Sequence, residues 1–242
     1  NLIILEDCAE ALGAKWDNKN VGTFGIGSVF SFFFSHHMTT MEGGMACVNE
    51  NKYADHLRVM RSHGWLRNID SKVFEKPLSE SNDNRYEFHN WGFNLRPTEV
   101  QAAFGLKQLE KLNQFNLNRK KISEDIFSFL YTYKFLQTIE VHKKATASWF
   151  GIPILLKEDC PFTTKELIDY LEGVGIETRP ILTGNMLRQP ASKNFFPNTS
   201  ADSFSGAEYI HKNGIYIGLS PISTGQSILR LKSDLKNFLD KY

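Results

Sequence analysis

The 242-residue sequence predicts an α/β fold, because short apolar segments typical of strands alternate with segments that have the periodicity of amphipathic helices. The run from Leu2 to Leu5 is wholly apolar and is followed by Glu6 and Asp7. This pattern indicates a buried parallel strand that carries carboxylates at its C-terminal end. We therefore expect a mostly parallel sheet in the first part of the chain and a smaller α/β lobe after about residue 130.

Three strand candidates in the first fifty residues frame one polar segment. After the first strand, a glycine-rich turn (VGTFGIG) leads to the apolar run VFSFFF, and the third candidate, MACVN, covers Met45 to Asn49. The polar segment SHHMTTMEGG lies between the last two. Open α/β sheets bind ligands where their strands end, so Asp7 and this segment are the first candidates for a site.

Two helices are predicted next. Lys52 to Ser62 has apolar residues at helical spacing and precedes a long polar loop through PLSESNDN. Thr98 and Gln101 have the spacing of a capping box, and apolar residues then recur at helical intervals as far as Leu112. This pattern predicts a long helix that is continued or bent through residues 119–130.

Strands and helices alternate in the remainder of the chain. WFGIPILL and IETRP indicate strands on either side of a capped helix, TTKELIDYLEGVG, that is expected to end at Gly175. A helix near residues 205–212, a strand IYIGL and a terminal helix near residues 232–242 follow. We therefore expect two domains, residues 1–130 and residues 131–242.

Composition excludes several classes of function. The chain has 28 Lys and Arg against 27 Asp and Glu, without a basic stretch, so no nucleic-acid partner is expected. Its apolar runs are too short to cross a bilayer, so no membrane association is expected. Cys8, Cys47 and Cys160 show no CxxC spacing, which argues against zinc and disulfides and favours a cytoplasmic location. Because the chain opens on a strand-like run after Asn1, we expect it to be the downstream part of a longer protein.

The chemistry-bearing residues each have a structural alternative. Asp7 can cap the next turn, or it can keep a heterocyclic nitrogen protonated, as the electron-sink chemistry of pyridoxal phosphate (PLP) requires. The segment from Ser31 to Gly44 is more informative, since it combines a serine, two adjacent histidines, two threonines and a glutamate. Adjacent histidines point in different directions and suit a metal poorly, so no metal site is expected.

Several motifs of this chain occur together in one known family. DCAEALGA, GTFG, FSFFFSHHMTTMEGG, RSHG and WGFNLRPTEVQAAFGLKQLEKL follow one another, and GVGIETRPILTGNMLRQP extends the match. This order resembles the DegT/DnrJ/EryC1/StrS sugar aminotransferases, which are fold-type I PLP-dependent transferases. The resemblance implies that residues 1–130 are the C-terminal part of a PLP-binding large domain, and that residues 131–242 are a small C-terminal α/β domain.

The family pattern implies roles for individual residues. Asp7 would pair with the pyridine nitrogen of PLP, Ala9 would lie against the ring, and Glu10 would lie near the ring hydroxyl, where most aminotransferases have glutamine. Ser31 corresponds to a phosphate-binding serine. Asn94 matches an asparagine that reaches the phosphate of the neighbouring subunit's cofactor, so the resemblance implies a homodimer with a shared active site.

Position 36 departs most from the family pattern, because His36 stands where aminotransferases have the lysine that binds PLP. An imidazole has no primary amine to condense with the aldehyde, but it can take and return a proton near neutral pH. The 3-dehydratases of colitose and ascarylose synthesis share this replacement. Resemblance to them implies that His36 is the catalytic base for loss of the 3-hydroxyl from a nucleotide-linked 4-keto-6-deoxyhexose. Glutamate would regenerate pyridoxamine phosphate (PMP), the aminated cofactor.

The cysteine content distinguishes between the two types of 3-dehydratase. Ascarylose-type enzymes hold an iron–sulfur cluster on four cysteines, which three scattered cysteines cannot supply, so the colitose type is preferred. An ordinary sugar aminotransferase and a catalytically inactive scaffold protein remain as alternatives. The candidates for contacts with the sugar or nucleotide are His37, Arg96, Arg179 and Asn185, and a packed or surface role is the alternative for each.

Overall fold

The structure is a computed structural model that describes residues 2–67, 69 and 86–242. The predicted polar loop through PLSESNDN lies outside these residues. In chain order, the strands and helices are β1 Leu5–Asp7, β2 Lys15–Trp16, β3 Lys19–Asn20, β4 Gly27–Ser31, β5 Gly44–Val48, α1 Asn51–Met60, α2 Glu99–Leu130, β6 Ala145–Thr146, β7 Gly151–Leu155, α3 Thr164–Gly173, β8 Thr178–Pro180, α4 Ser192–Phe195, α5 Ser205–Asn213, β9 Gly214–Gly218 and α6 Gly225–Leu239. None of the described helices is long and apolar enough to cross a membrane.

The chain divides into two compact units. The first contains residues 1–113 and 143–147, and the second contains residues 114–142 and 148–242. The predicted domain boundary at residue 130 is the end of α2, whereas the chain passes from the first unit to the second at residue 113, inside that helix.

The main sheet of the first unit has the strand order β1–β4–β5. β1 is parallel to β4, with Asp7 opposite Val29, and β5 is antiparallel to β4, with Gly44 opposite Ser31. The sheet is therefore mixed, rather than mostly parallel as predicted. The physical reason is the short connection between β4 and β5, which contains no helix to carry the chain across the sheet and returns it antiparallel.

The first strand is shorter and more exposed than the sequence predicts. It covers Leu5–Asp7, and Leu2 and Leu5 are 94% and 73% exposed. In the described sheet β1 lies at an edge and pairs with one neighbour, so its apolar residues lack the two-sided cover of a central strand. The predicted burial of this run is wrong for these residues.

The predicted capping box begins α2. The Gln101 backbone N–H donates to Thr98 Oγ1 at 3.3 Å, and the Thr98 N–H donates to Gln101 Oε1 at 2.8 Å. Glu99, in the first turn, adds negative charge at the positive end of the helix dipole. α2 then continues without interruption to Leu130, as the sequence predicts.

The second unit has a three-stranded antiparallel sheet in the order β7–β9–β8. Its core is apolar and completely buried at Ile152 of β7, at Leu167 and Leu171 of α3, and at Leu235 of α6. Leu167 and Leu171 are four residues apart and so share one face of α3. The sequence predicts each of these elements, although α6 begins at Gly225, before the predicted start at residue 232.

Candidate active site

The parallel pair β1 and β4 brings Asp7 and Ser31 to the same edge of the sheet. Asp7 ends β1 and is exposed, and Ser31 ends β4 two residues after Val29, the partner of Asp7. Asp7 Oδ1 accepts the Ala9 N–H at 3.1 Å, and Ser31 Oγ accepts the Phe33 N–H at 3.2 Å. Since the carboxyl ends of parallel strands are a common ligand position, this edge is the candidate site.

Glu6, which precedes the strand-end carboxylate, fixes the glycine-rich turn. Its side chain accepts backbone N–H groups at 2.6–2.8 Å from Gly22, Phe24 and Gly25. Burial acts to raise the pKa of Glu6, but these hydrogen bonds and nearby Lys19 outweigh it and hold the pKa below its usual range. The spacing of the sequence does not predict this role of Glu6, for which the glycine-rich turn after β1 is the available signal.

His36 lies in the turn between β4 and β5, and its imidazole faces Glu10. The distance between His36 Nε2 and Glu10 Oε1 is 3.7 Å, and the two side chains are 14% and 37% exposed. The His36 backbone N–H donates to the Phe33 carbonyl at 3.1 Å. The rings of Phe33 and His36 also meet edge to face, with centroids 5.6 Å apart. Phe33, in the middle of three consecutive phenylalanines, therefore helps to orient the imidazole.

The rest of this turn is tied to the start of α2. The Glu42 carbonyl accepts hydrogen bonds from Thr40 Oγ1 at 2.9 Å and from Gln101 Nε2 at 2.6 Å. A Cβ atom at Gly43 would lie 2.2 Å from Thr40 Oγ1, so this position excludes a side chain unless the turn moves. The threonines and glycines of TTMEGG thus shape the turn that carries His36.

Asn94 is exposed and lies on a segment that pairs with the residues after α1. It forms an isolated antiparallel bridge with Ser62, and its neighbours Phe93 and Leu95 make backbone hydrogen bonds to the same segment. Phe93 and Leu95 are 61% and 67% exposed. An exposed Asn94 can be offered to a second subunit, so its contact with a partner's cofactor stays a prediction.

Among the candidate substrate contacts, His37 is buried, whereas Arg96 and Arg179 are exposed. His37 is only 1% exposed, so this burial does not support a contact between its ring and a substrate. Arg96 and Arg179 are exposed, and the Arg179 guanidinium donates to the Glu177 carboxylate. Arg179 also lines a hollow of about 250 Å³ in the second unit. Substrate contacts of the two arginines stay predictions.

Asn185 is buried in a hydrogen-bond network, which does not support its predicted contact with the substrate. Its side chain is 2% exposed, and Nδ2 donates to the Ala201 carbonyl and to Glu208 Oε2, both at 3.0 Å. Asn185 Oδ1 accepts the Leu187 N–H at 3.1 Å. Because a side-chain amide has two N–H donors, these bonds leave none for a ligand.

Glu208 sits at the centre of this buried network. Its carboxylate accepts two hydrogen bonds from Arg188, at 2.7 and 3.1 Å, and pairs with Lys212 at 3.2 Å. The bonds from Arg188, opposed by burial and assisted by Asn185 and Lys212, lower the pKa of Glu208 from 4.5 to about 2. The folded state therefore holds this carboxylate ionised at pH values where the unfolded chain binds a proton.

The Glu208 network should make the second unit sensitive to acid. Its contribution to stability is complete above the unfolded pKa of 4.5 and is lost as the pH falls toward about 2. We expect Glu208→Gln to lower the urea midpoint at pH 7, and we expect this difference to shrink between pH 4.5 and pH 3. Glu110→Gln, on an exposed side chain of α2, is the control and should leave the midpoint unchanged. A difference that is constant from pH 7 to pH 3 would contradict the assigned pKa.

The edge of β1 and β4 has groups of the kinds that can bind PLP. It combines an exposed carboxylate (Asp7), a small residue near it (Ala9), a hydroxyl (Ser31) and an imidazole next to a carboxylate (His36 and Glu10). Among the described residues, no group of three or more His, Cys, Asp or Glu side chains is arranged to hold a metal ion.

The chain belongs to the DegT/DnrJ/EryC1/StrS aminotransferase family, whose model matches residues 1–235. A GDP-4-keto-6-deoxy-D-mannose 3-dehydratase of Escherichia coli O55:H7 is 36% identical over 241 residues, which are 98% of this chain and 61% of that protein. Both the predicted family and the predicted α/β fold of the PLP-dependent transferases are confirmed.

Among the solved structures that are similar to this chain are two of 3-dehydratases. The E. coli GDP-4-keto-6-deoxy-D-mannose-3-dehydratase with bound hydrated PLP superposes with a TM-score of 0.87 at 35% identity, over 97% of this chain and 60% of that one. A structure of GDP-4-keto-6-deoxymannose-3-dehydratase with a trapped PLP-glutamate geminal diamine gives 0.83 at 34% identity, over 93% and 58%. The chain spans about three fifths of the length of these relatives.

Proposed function

We propose that this protein is a PLP- and PMP-dependent 3-dehydratase that removes the 3-hydroxyl of a nucleotide-linked 4-keto-6-deoxyhexose during deoxysugar biosynthesis in the cytoplasm. The observation that carries the proposal is His36, which replaces the cofactor-binding lysine within a turn that otherwise keeps the family pattern. The relatives named as 3-dehydratases of GDP-4-keto-6-deoxymannose support a GDP-linked substrate.

Four residues would hold the cofactor, which supplies an electron sink as PLP and an amino group as PMP. Asp7 would keep the ring nitrogen protonated, and Ala9 would leave room for the ring beside it. Ser31 would donate its hydroxyl to the phosphate, and Glu10 would face the ring hydroxyl. Their placement at the end of the parallel strand pair supports these assignments.

His36 would act as the catalytic base. Its Nε2 would take the proton that leaves the cofactor's C4′ carbon, and the same nitrogen would return a proton to the departing 3-hydroxyl, which leaves as water. With no lysine amine at position 36, the chain cannot displace the sugar amine from the cofactor by exchange. Hydrolysis would then release ammonia and a 3-deoxy-4-keto sugar.

The proposal includes a homodimer in which Asn94 reaches the partner's cofactor, with Arg96 and Arg179 as contacts to the sugar nucleotide. The exposure of all three side chains supports these roles. It also includes glutamate as amino donor, which the PLP-glutamate adduct of a relative supports.

We further propose residues 1–130 as the C-terminal part of the large domain and residues 131–242 as the small domain.

The nitrogen balance of the reaction tests the proposed function. The native gene product, supplied with PLP, L-glutamate and GDP-4-keto-6-deoxymannose, should release 2-oxoglutarate and ammonia in equal amounts. An aminotransferase would release 2-oxoglutarate without ammonia, because the nitrogen stays on the sugar. An inactive scaffold would release neither product. Either of these two results would overturn the proposal.

A further inference from the structure

The turn after β1 and the turn after β4 bring a carboxylate to an imidazole at the candidate site. We propose that Glu10 is a positioning residue for His36: its carboxylate lies beside Nε2 and balances the positive charge that the imidazole gains when it takes a proton. This inference rests on the proposed function, in which His36 is the base. It goes beyond the contact with the ring hydroxyl that the family resemblance implies for Glu10.

The imidazole of His36 contacts two groups. Phe33 contacts the ring edge to face at a centroid distance of 5.6 Å, and the Glu10 carboxylate lies 3.7 Å from Nε2. The backbone hydrogen bond from His36 to Phe33 fixes the start of the side chain. An aromatic contact restricts the tilt of the ring but supplies no full charge, so the carboxylate is the group that can respond to protonation.

The three carboxylates near the end of β1 are used differently. Glu6 is occupied by three backbone N–H groups of the glycine-rich turn. Asp7 accepts the Ala9 N–H and stands at the strand end, where the ring nitrogen of a cofactor would be met. Glu10 makes an ion-pair contact with His36, with 3.7 Å between Glu10 Oε1 and His36 Nε2. Its position beside His36 Nε2 makes Glu10 a counter-charge for the base.

The charge balance of proton transfer explains why a carboxylate would stabilise the protonated form of His36. When Nε2 gains a proton, the imidazole becomes a cation, and an ionised Glu10 makes the pair neutral as a whole. When the proton passes to the departing hydroxyl, the imidazole is neutral again and Glu10 has not changed. Because the His36 side chain is only 14% exposed, water screens this attraction less than it would at the surface. A glutamine has the same length but supplies no charge.

Two substitutions of Glu10 separate charge from shape. We expect Glu10→Gln to lower kcat for the 3-deoxy product by about 10- to 100-fold, with KM for the sugar nucleotide changed by less than about twofold. Glu10→Asp keeps the charge at a shorter reach and should recover part of kcat. Glu124→Gln, on an exposed side chain of α2, is the matched control and should leave kcat unchanged. Since Glu10 is partly exposed, thermal unfolding should be the same for all four proteins.

A double-mutant cycle shows whether Glu10 acts through His36. If it does, Glu10→Gln should cause little further loss in a protein that already carries His36→Asn, because there is no imidazolium left to support. An equal loss in both backgrounds would mean that Glu10 acts on the cofactor alone, and would overturn the inference. An unchanged kcat for Glu10→Gln in an active enzyme would overturn it as well.

These outcomes are distinct from failure of the proposed function. If the unsubstituted protein makes no 3-deoxy sugar, the proposed function fails, and the inference about Glu10 fails with it. If the unsubstituted protein makes this product and the Glu10 variants behave like the control, the function stands and only the role of Glu10 is wrong.

Discussion

His36→Asn is expected to lower kcat for dehydration by about 10²- to 10⁴-fold, the range typical of general acid–base catalysis. Asparagine is of similar size and is polar, but its amide cannot take up a proton at neutral pH. The imidazole is only 14% exposed and is held by Phe33 and Glu10, so a bulk base such as water cannot easily take its place. The measurement is the initial rate of 3-deoxy sugar formation from GDP-4-keto-6-deoxymannose.

His142→Asn is the matched control, because His142 is exposed and belongs to the second unit. Its rate should equal that of the unsubstituted protein. If His36→Asn retains half of the original rate or more, the assignment of the base is wrong, and another group must move the proton.

His36→Lys is expected to change how the cofactor is held. The lysine amine can condense with the aldehyde of PLP, and borohydride should then fix the cofactor to the protein as a stable covalent adduct. The unsubstituted protein should release all of its cofactor after the same treatment, because imidazole forms no such bond.

Mass spectrometry of the intact protein measures this difference. We also expect His36→Lys to shift the product from the 3-deoxy sugar toward an amino sugar, since the lysine can release the sugar amine without hydrolysis. Covalent cofactor on the unsubstituted protein would contradict the account, because it would show that a lysine elsewhere in the protein holds PLP.

The helix starts could be predicted wherever the capping chemistry is local. Thr98 with Gln101 forms the predicted capping box, and the predicted capped helix α3 begins with a capping box of Thr163 and Glu166. The start of α6 was missed, although Thr224 caps it by accepting the Ser227 N–H at 3.2 Å. Ser227, the third residue of α6, does not complete a capping box as Glu or Gln would, so the sequence signal for this helix start is weaker than for α2 and α3.

Features that depend on distant neighbours could not be predicted in the same way. The direction of β5 follows from the path of the turn that precedes it, and the exposure of Leu2 and Leu5 follows from the edge position of β1. The burial of Asn185 depends on Ala201 and Glu208, to which its side chain donates. Sequence spacing describes none of these contacts, because each joins residues from separate elements.

The candidate site was predicted in part for the same reason. Family motifs pointed to Asp7, Ser31 and His36 one by one, whereas the contact between His36 and Glu10 arises only when β1 and β4 pair in parallel. A resemblance can identify a position, but the tertiary fold decides which side chains meet there.

The identity of the sugar product tests the central claim most directly. We expect NMR spectroscopy of the nucleotide sugar, made by the native gene product from GDP-4-keto-6-deoxymannose, PLP and L-glutamate, to show a methylene group at C3 and a keto group at C4. A 4-amino sugar that keeps its 3-hydroxyl would contradict the account, because His36 would then support transamination rather than dehydration.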